Sequence, residues 1–263
     1  MTARDARFTA GYLRAVRPLS LGSSHLHAEA MKVPTRLGIL AAVAASGLAY
    51  ARVVRPWQLT WGATPDEATR ALPGDDLVAG TYRTTHAVTI ARPPGEVWPW
   101  LVQMGYERGG WYSYDRLERA LGIGDFAEGG SARRIVPHLQ SLSLGDSVAL
   151  GENGGFTVVG LDPARSLVLR IPMDPLTGGA ASADSRVVLD WTWAFVLEPV
   201  DQGCRLLIRV RGDLRPHWLT PTLLLLDPVH LIMERKMLRT IKRCAEGHGL
   251  PGDGTRSPVK QAA

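Results

Sequence analysis

The sequence predicts an α+β fold in which an antiparallel sheet is covered on one face by a long C-terminal helix. Three observations predict it. The stretches Val187 to Pro199 and Cys204 to Gly212 alternate on either side of an Asp-Gln-Gly turn, so Trp191, Trp193, Phe195 and Leu197 share one face with Leu206, Ile208 and Val210. Arg205, Leu207, Arg209 and Arg211 fall on the other side, which the charges direct mostly towards water. Val229, Met233, Met237, Thr240, Ile241 and Cys244 recur at helical spacing and supply the cover, while Arg235, Lys236, Arg239, Lys242 and Arg243 form the opposite face. Residues 86–115, HAVTIARPPGEVWPWLVQMGYERGGWYSYD, pass from an alternating strand through a Pro-Pro corner into a short helix and then a Gly-Gly turn rich in aromatics.

In chain order, residues 1–30 lack a sustained apolar period and read as a disordered extension. Residues 31–57 have the layout of a membrane anchor or signal: Lys32 and Arg36 precede the uncharged run Leu37 to Ala51. Placement directly after Met31 makes that methionine an alternative start. Fifteen residues span about 22 Å as a helix against roughly 30 Å of hydrocarbon. Extended over residues 37–54, with Arg36 and Arg52 snorkelling and Tyr50, Trp57 and Trp61 at the interface, the segment crosses as a single N-terminal pass. A signal cleaved near Ala49-Tyr50-Ala51 and export, or a helix packed on a cytoplasmic domain, stay open as alternatives. Lys and Arg are nearly balanced on its two sides, so orientation is open too.

Residues 58–79 contain WGATPDEATRALPGDD and read as a linker with at most one turn of helix, so the folded domain is expected over 80–249. Tyr82, Thr84, His86, Val88 and Ile90 share one strand face. Pro94 suits a first helical turn, and Val97, Leu101 and Met104 follow in phase. A second short helix is expected over Ser113 to Leu121, ended by Gly122. Strands are expected at Arg134 to Val136, Ser147 to Leu150, Phe156 to Leu161 and Leu167 to Ile171, and a surface loop at residues 173–185. Asp227 suits the N-cap of the last helix and Pro228 its first residue; Gly247 and Gly249 end it, and residues 250–263 read as a disordered tail.

The net charge of +5 is a property of the ends. Residues 1–36 carry a surplus of four positive charges and residues 251–263 a surplus of one, so residues 37–250 are neutral. That removes most of the case for nucleic-acid binding, which needs a net basic folded domain. Cys204 and Cys244 form no metal pattern, and two free thiols suit a core this large, with a single disulfide as the other option.

The 86–115 segment resembles the start of the START-like, or SRPBCC, superfamily, which includes polyketide cyclases, Bet v 1-like pollen allergens and lipid-transfer domains. The resemblance extends over roughly residues 80–247. It implies the helix-grip fold: a first strand, two short helices, and a curved antiparallel sheet wrapped around the long C-terminal helix. It also implies an apolar ligand held between sheet and helix.

Catalytic and cofactor motifs fail on context. Gly122-Ile-Gly124 with Ala127 follows a helix rather than a strand, and Gly145-Asp-Ser147-Val-Ala149 enters a strand rather than a helix. There is no Walker loop, the histidines are scattered, and neither cofactor nor metal is expected. The candidate ligand-binding residues are His86, pointing inward with Val88 and Ile90; Trp111, Tyr112, Tyr114 and Asp115 at the expected cavity mouth; Trp191 and Trp193; and His230, Met233 and Met237 on the last helix. Each has an ordinary structural alternative: a satisfied core histidine, packed aromatics, a Met-lined core, or an aspartate capping a helix. The leading expectation is a membrane-tethered binder of a hydrophobic small molecule or lipid. A polyketide cyclase or aromatase using His86, Tyr114 and Asp115 is the second. A domain with a collapsed cavity whose basic helix meets a lipid surface or a protein partner is the third.

Overall fold

A computed structural model of the chain describes residues 24–116, 130–152, 154–177 and 179–247, with side chains from residue 37 onward. The extension up to residue 23, residues 117–121 of the expected second helix and the tail at 250–263 lie outside the described residues. Two compact units are present, residues 1–50 and 51–263. In the first, helix α1 (Ser24–Ala49) begins within the stretch expected to be an irregular extension, and its exposed side chains include Leu37, Leu40 and Val43. Leu37–Leu59 is 23 residues with a mean hydropathy of 1.8, long and apolar enough by length and composition to cross a membrane.

The second unit contains a six-stranded antiparallel sheet in the order β1-β6-β5-β4-β3-β2, from strands β1 (Tyr82–Ile90), β2 (Ser147–Gly151), β3 (Gly154–Asp162), β4 (Ser166–Met173), β5 (Val188–Val200) and β6 (Gly203–Arg215). The last helix, Asp227–Ala245, packs on β1 and on helix α4 (Pro94–Val102). Strand, helix, meander and final helix make an α+β helix-grip fold, as the resemblance implied. Cys204 and Cys244 are free thiols.

Register explains the core. His86 pairs with Ile208 and Ile208 with Phe195; Thr84 pairs with Val210 and Val210 with Trp193. Facing side chains of neighbouring strands therefore form rows across the covered face. One row has a gap filled from both sides. Gly212 stands between Tyr82 and Trp191, and a Cβ there would meet the Trp191 ring at 3.1 Å and the Tyr82 ring at 3.3 Å. Without it, the two rings stack across the glycine with centroids 5.4 Å apart.

The other face is not mostly towards water. Leu207 and Arg209 are buried, at 0% and 1% exposure, because the stretch expected to be a linker covers them. Helix α2 (Arg55–Leu59) lies at the last helix, the chain then passes the edge strand where Ala87 N–H donates to the Trp61 carbonyl, and helix α3 (Pro65–Thr69) follows. Thr64 and Glu67 form a reciprocal capping box. Arg209 then bonds Thr85 Oγ1 at 2.7 Å, the Glu67 carbonyl at 2.8 Å and Asp75 at 2.6 Å, while Leu72 packs with Ala87, Val196 and Leu207. Residues 58–79 thus belong to the domain, which begins before residue 80. Gly62 makes the passage possible: a Cβ there would lie 2.2 Å from the Ala87 carbonyl oxygen.

Two local expectations are corrected. Arg134 to Val136 is irregular rather than a strand, because buried Gln103 takes its backbone groups: Nε2 donates to the Arg134 carbonyl and Oε1 accepts from Val136 N–H. Asp227 is the first residue of the last helix and Leu226 its N-cap, since the Asp227 carboxylate is engaged 2.9 Å from Arg55 Nε instead of capping.

Candidate functional site

A cavity of about 350 Å³ lies between the sheet and the last helix. Leu150, Phe156, Ile171, Met173, Leu189 and Trp191 form its sheet side, and Leu226, Val229, His230 and Met233 its helix side. It falls within the size range of small-molecule sites. Of the expected ligand-binding residues, Trp191, His230 and Met233 line it. A larger cleft of about 540 Å³, lined in part by Arg55, Asp213 and His217, is more polar.

The buried face of the helix is wider than the expected stripe. Met237, Thr240 and Ile241 are buried as expected, and Asp227, Leu231, Glu234 and Leu238 are buried beside them, whereas Val229 is 47% exposed at the cavity. The buried face thus carries Glu234, a carboxylate in phase with Leu231, Leu238 and Ile241. Its neighbours make the burial possible. His86 Nδ1 is 2.5 Å from Glu234 Oε2, Trp193 Nε1 donates to Oε1 at 2.8 Å, and His230 Nε2 lies 3.1 Å from Oε1.

The charge state of His86 follows from its other contact. Nε2 lies 2.8 Å from the Gln58 carbonyl oxygen, which can only accept, so that nitrogen carries a proton. Nδ1 faces a carboxylate and donates as well, which makes His86 an imidazolium paired with an ionised Glu234. Burial alone would lower the His86 pKa, but the hydrogen bond to Glu234, its charge and the Gln58 carbonyl raise it. Burial likewise opposes the charge on Glu234, yet the charge and hydrogen bonding of His230 and His86 hold its carboxyl far below the usual range, at about 2. With both ring nitrogens committed, His86 has no lone pair for a metal or a substrate proton. Among the described residues, no group of His, Cys and carboxylate side chains is placed to hold a metal ion.

The remaining expected residues divide into core and surface. Trp111 is buried, stacked on Trp193 with centroids 5.5 Å apart and edge-on to Phe156. Tyr112 is fully buried with φ 58°, held by a bond from its N–H to Ser131 Oγ and by Gln103 Nε2 donating to its hydroxyl. Met237 is core. Tyr114 is 44% exposed with Lys236 over its ring, and Asp115 accepts bonds from Ser131 Oγ and N–H. Tyr114 and Asp115 are therefore not a polar pair at the cavity. His86, Tyr114 and Asp115 each have separate partners and do not converge on one site. The basic helix face is also engaged: Arg235 and Arg239 lie over Trp61, Lys236 lies over Tyr114, and Lys242 bonds the Thr89 carbonyl.

Sequence reasoning missed Glu234 and the cavity's aliphatic wall. Glu234 had a signal, since it stands four residues after His230 and in phase with three buried aliphatics. Leu150, Ile171, Met173 and Leu189 had none, because strand alternation marks a covered face without saying where that face stays unfilled.

No family model matches the chain, and no curated protein matches it. Solved structures show distant likenesses. A Mesorhizobium loti protein is 15% identical over 64% of this chain and 100% of its own, with a TM-score of 0.38. The Aha1 dimer from Colwellia psychrerythraea is 12% identical over 63% of this chain and 97% of its own, with a TM-score of 0.32. A Polyketide_cyc-like protein from Corynebacterium glutamicum is 13% identical over 62% and 91%, with a TM-score of 0.31. Likenesses this distant say nothing of what the chain binds.

Proposed function

We propose that this protein binds a hydrophobic small molecule or lipid in the cavity between the sheet and the last helix, and that residues 37–54 tether it to a membrane. The observation that carries the reading is the cavity itself: about 350 Å³, bounded by aliphatic and aromatic side chains and by His230. The space opens to solvent between Leu226 and Val229, which are exposed at 46% and 47%, and a ligand that covers its apolar wall is stabilised by roughly 25 cal/mol for each Å² of apolar area it buries.

Two features support the tether. The apolar segment leads directly into Arg55, whose bond to Asp227 fixes the start of the domain at the last helix. Trp218 and Leu225, in the stretch that leads into Asp227, and Ile232 on the last helix are exposed at 76%, 78% and 52%, apolar side chains suited to lipid. Residues 55–59 pack within the domain, which leaves 37–54 as the span.

The enzyme reading has less support. Its three candidate groups do not meet, and His86 would have to break a charged hydrogen bond before accepting a proton. Native mass spectrometry of the full chain, released from mild detergent, tests the binding reading: an apolar adduct of defined mass is expected. Repeated spectra of the bare chain, together with no uptake of added apolar compounds, would overturn it.

A further inference from the structure

The last helix turns two kinds of side chain outward. Leu226 at its N-cap, then Val229 and Ile232 at three-residue spacing, are exposed along one side. One turn further on, that side carries Lys236 and then the exposed Arg239 and Arg243. The stretch leading into the helix repeats the apolar half. Leu223 is buried with Val210 and Leu214, its neighbours Leu224 and Leu225 are exposed, and so is Trp218 at the start of the same stretch. Exposed apolar side chains scattered singly are ordinary, but a run of them over two consecutive elements marks a surface with a partner.

Chain connectivity identifies that partner. Val54 ends the proposed span, and the next residue, Arg55, is held 2.9 Å from Asp227, the first residue of the last helix. One residue extends a chain by at most about 3.6 Å, so no linker separates the bilayer from this end of the helix. Apolar side chains in the first turns followed by cations suit a helix whose start dips into lipid and whose later turns reach the phosphates. The mouth of the cavity belongs to the same surface, since Leu226 and Val229 both line it. We propose that Trp218, Leu225, Leu226, Val229 and Ile232 lie in the membrane that the chain spans, and that the cavity opens directly into it. The cavity then takes a membrane-dissolved lipid from the bilayer without passage through water. This rests on the tether reading and adds to it the source of the ligand.

The test places a nitroxide at single cysteines in the full chain reconstituted into phosphatidylcholine liposomes. Cys244→Ala removes the half-buried native thiol, and Cys204 is buried. Leu225→Cys and Val229→Cys report the surface and the mouth. Val200→Cys is the control: Val200 pairs with Gly203 at one end of the β5–β6 hairpin, whereas Val188 pairs with Arg215 at the other. The two ends are roughly 40 Å apart at about 3.3 Å per residue. Oxygen concentrates in lipid and a nickel chelate in water. Oxygen collisions should exceed nickel collisions at Leu225 and Val229, and the order should reverse at Val200. A second readout needs no label: brominated lipid should quench more of the tryptophan emission of wild type than of Trp218→Phe. Nickel in excess at Leu225 or Val229, or equal quenching of wild type and Trp218→Phe, would overturn the proposal while leaving the tether intact in a chain that floats with the liposomes after carbonate. Few collisions with either probe at Leu225 would mean that protein covers the surface, which also overturns it. A chain that does not float would overturn both the proposal and the tether.

Discussion

Replacing Glu234 with glutamine changes one charge at almost constant volume and shows how much the buried cluster holds. The carboxylate is 1% exposed and receives His86 and Trp193, with His230 at 3.1 Å. A glutamine there must turn its NH2 towards one of these donors, whichever way it lies, and leaves the His86 imidazolium buried without its counter-charge. Removing one member of a buried charged pair costs about 3–5 kcal/mol. For a domain of this size that is a fall in Tm of roughly 6–20 °C. Its pH dependence is more diagnostic. The His86 pKa is raised in the folded state, so its contribution is complete below about pH 6.5 and is lost as pH climbs through the raised value. Glu234 is depressed to about 2, so its contribution is fully present above about pH 4.5 and is lost as pH falls from there through about 2. Urea unfolding followed by tryptophan emission should therefore show the widest gap between wild type and Glu234→Gln at about pH 5–6, narrowing on the alkaline side. A gap below about 1 kcal/mol, or one that stays constant from pH 5 to 10, would refute the imidazolium–carboxylate pair.

Three further outcomes are expected. Gly212→Val places a side chain 3.1 Å from Trp191 and 3.3 Å from Tyr82, so it should part the stacked rings, cost about 1–3 kcal/mol and shift the tryptophan emission. Arg209→Met strands Asp75 and the Glu67 carbonyl beneath the outer segment; a loss of about 3–5 kcal/mol in urea unfolding should accompany earlier proteolytic cutting near residues 64–76, and unchanged cutting would show that the segment is held by other contacts. Leu40→Lys with Val43→Lys adds about 2.5–3.5 kcal/mol to insertion for each lysine near a span centre, so the full chain should move from the membrane pellet to the soluble fraction, whereas continued pelleting through carbonate extraction would count against the tether.

The fold was legible because its signals are periodic. Alternation in β5 and β6, the proline start of α4 and the amphipathic last helix each gave an element and a covered face. What periodicity could not show was long-range cover. Arg209 looks like a solvated charge on an alternating strand, yet residues 64–76 fold over it and supply its acceptors, an arrangement that depends on partners more than 100 positions away. The same limit affected the last helix. Its apolar stripe was read from Val229 and Met233 without Glu234, because a carboxylate in a buried row makes sense only once His86 and Trp193 face it across the sheet. His86 was recognised as inward-facing, but its role is to hold Glu234 rather than to touch a ligand. Tyr114 and Asp115 followed an aromatic turn that looked like a cavity mouth, and the fold uses that turn to tie down Ser131.

The central claim is that the cavity beside His230 is a binding site, and filling it is the most direct test. Met233→Trp places an indole in space bordered by Ile171, Met173 and Trp191, and leaves His86, Trp193, His230 and Glu234 unchanged. Native mass spectra of full-length wild type and Met233→Trp, each mixed with 2-naphthol, should show a bound molecule on the wild type and its loss on the variant, at matched thermal stability. Equal occupancy of the two proteins would place the ligand elsewhere and contradict the account.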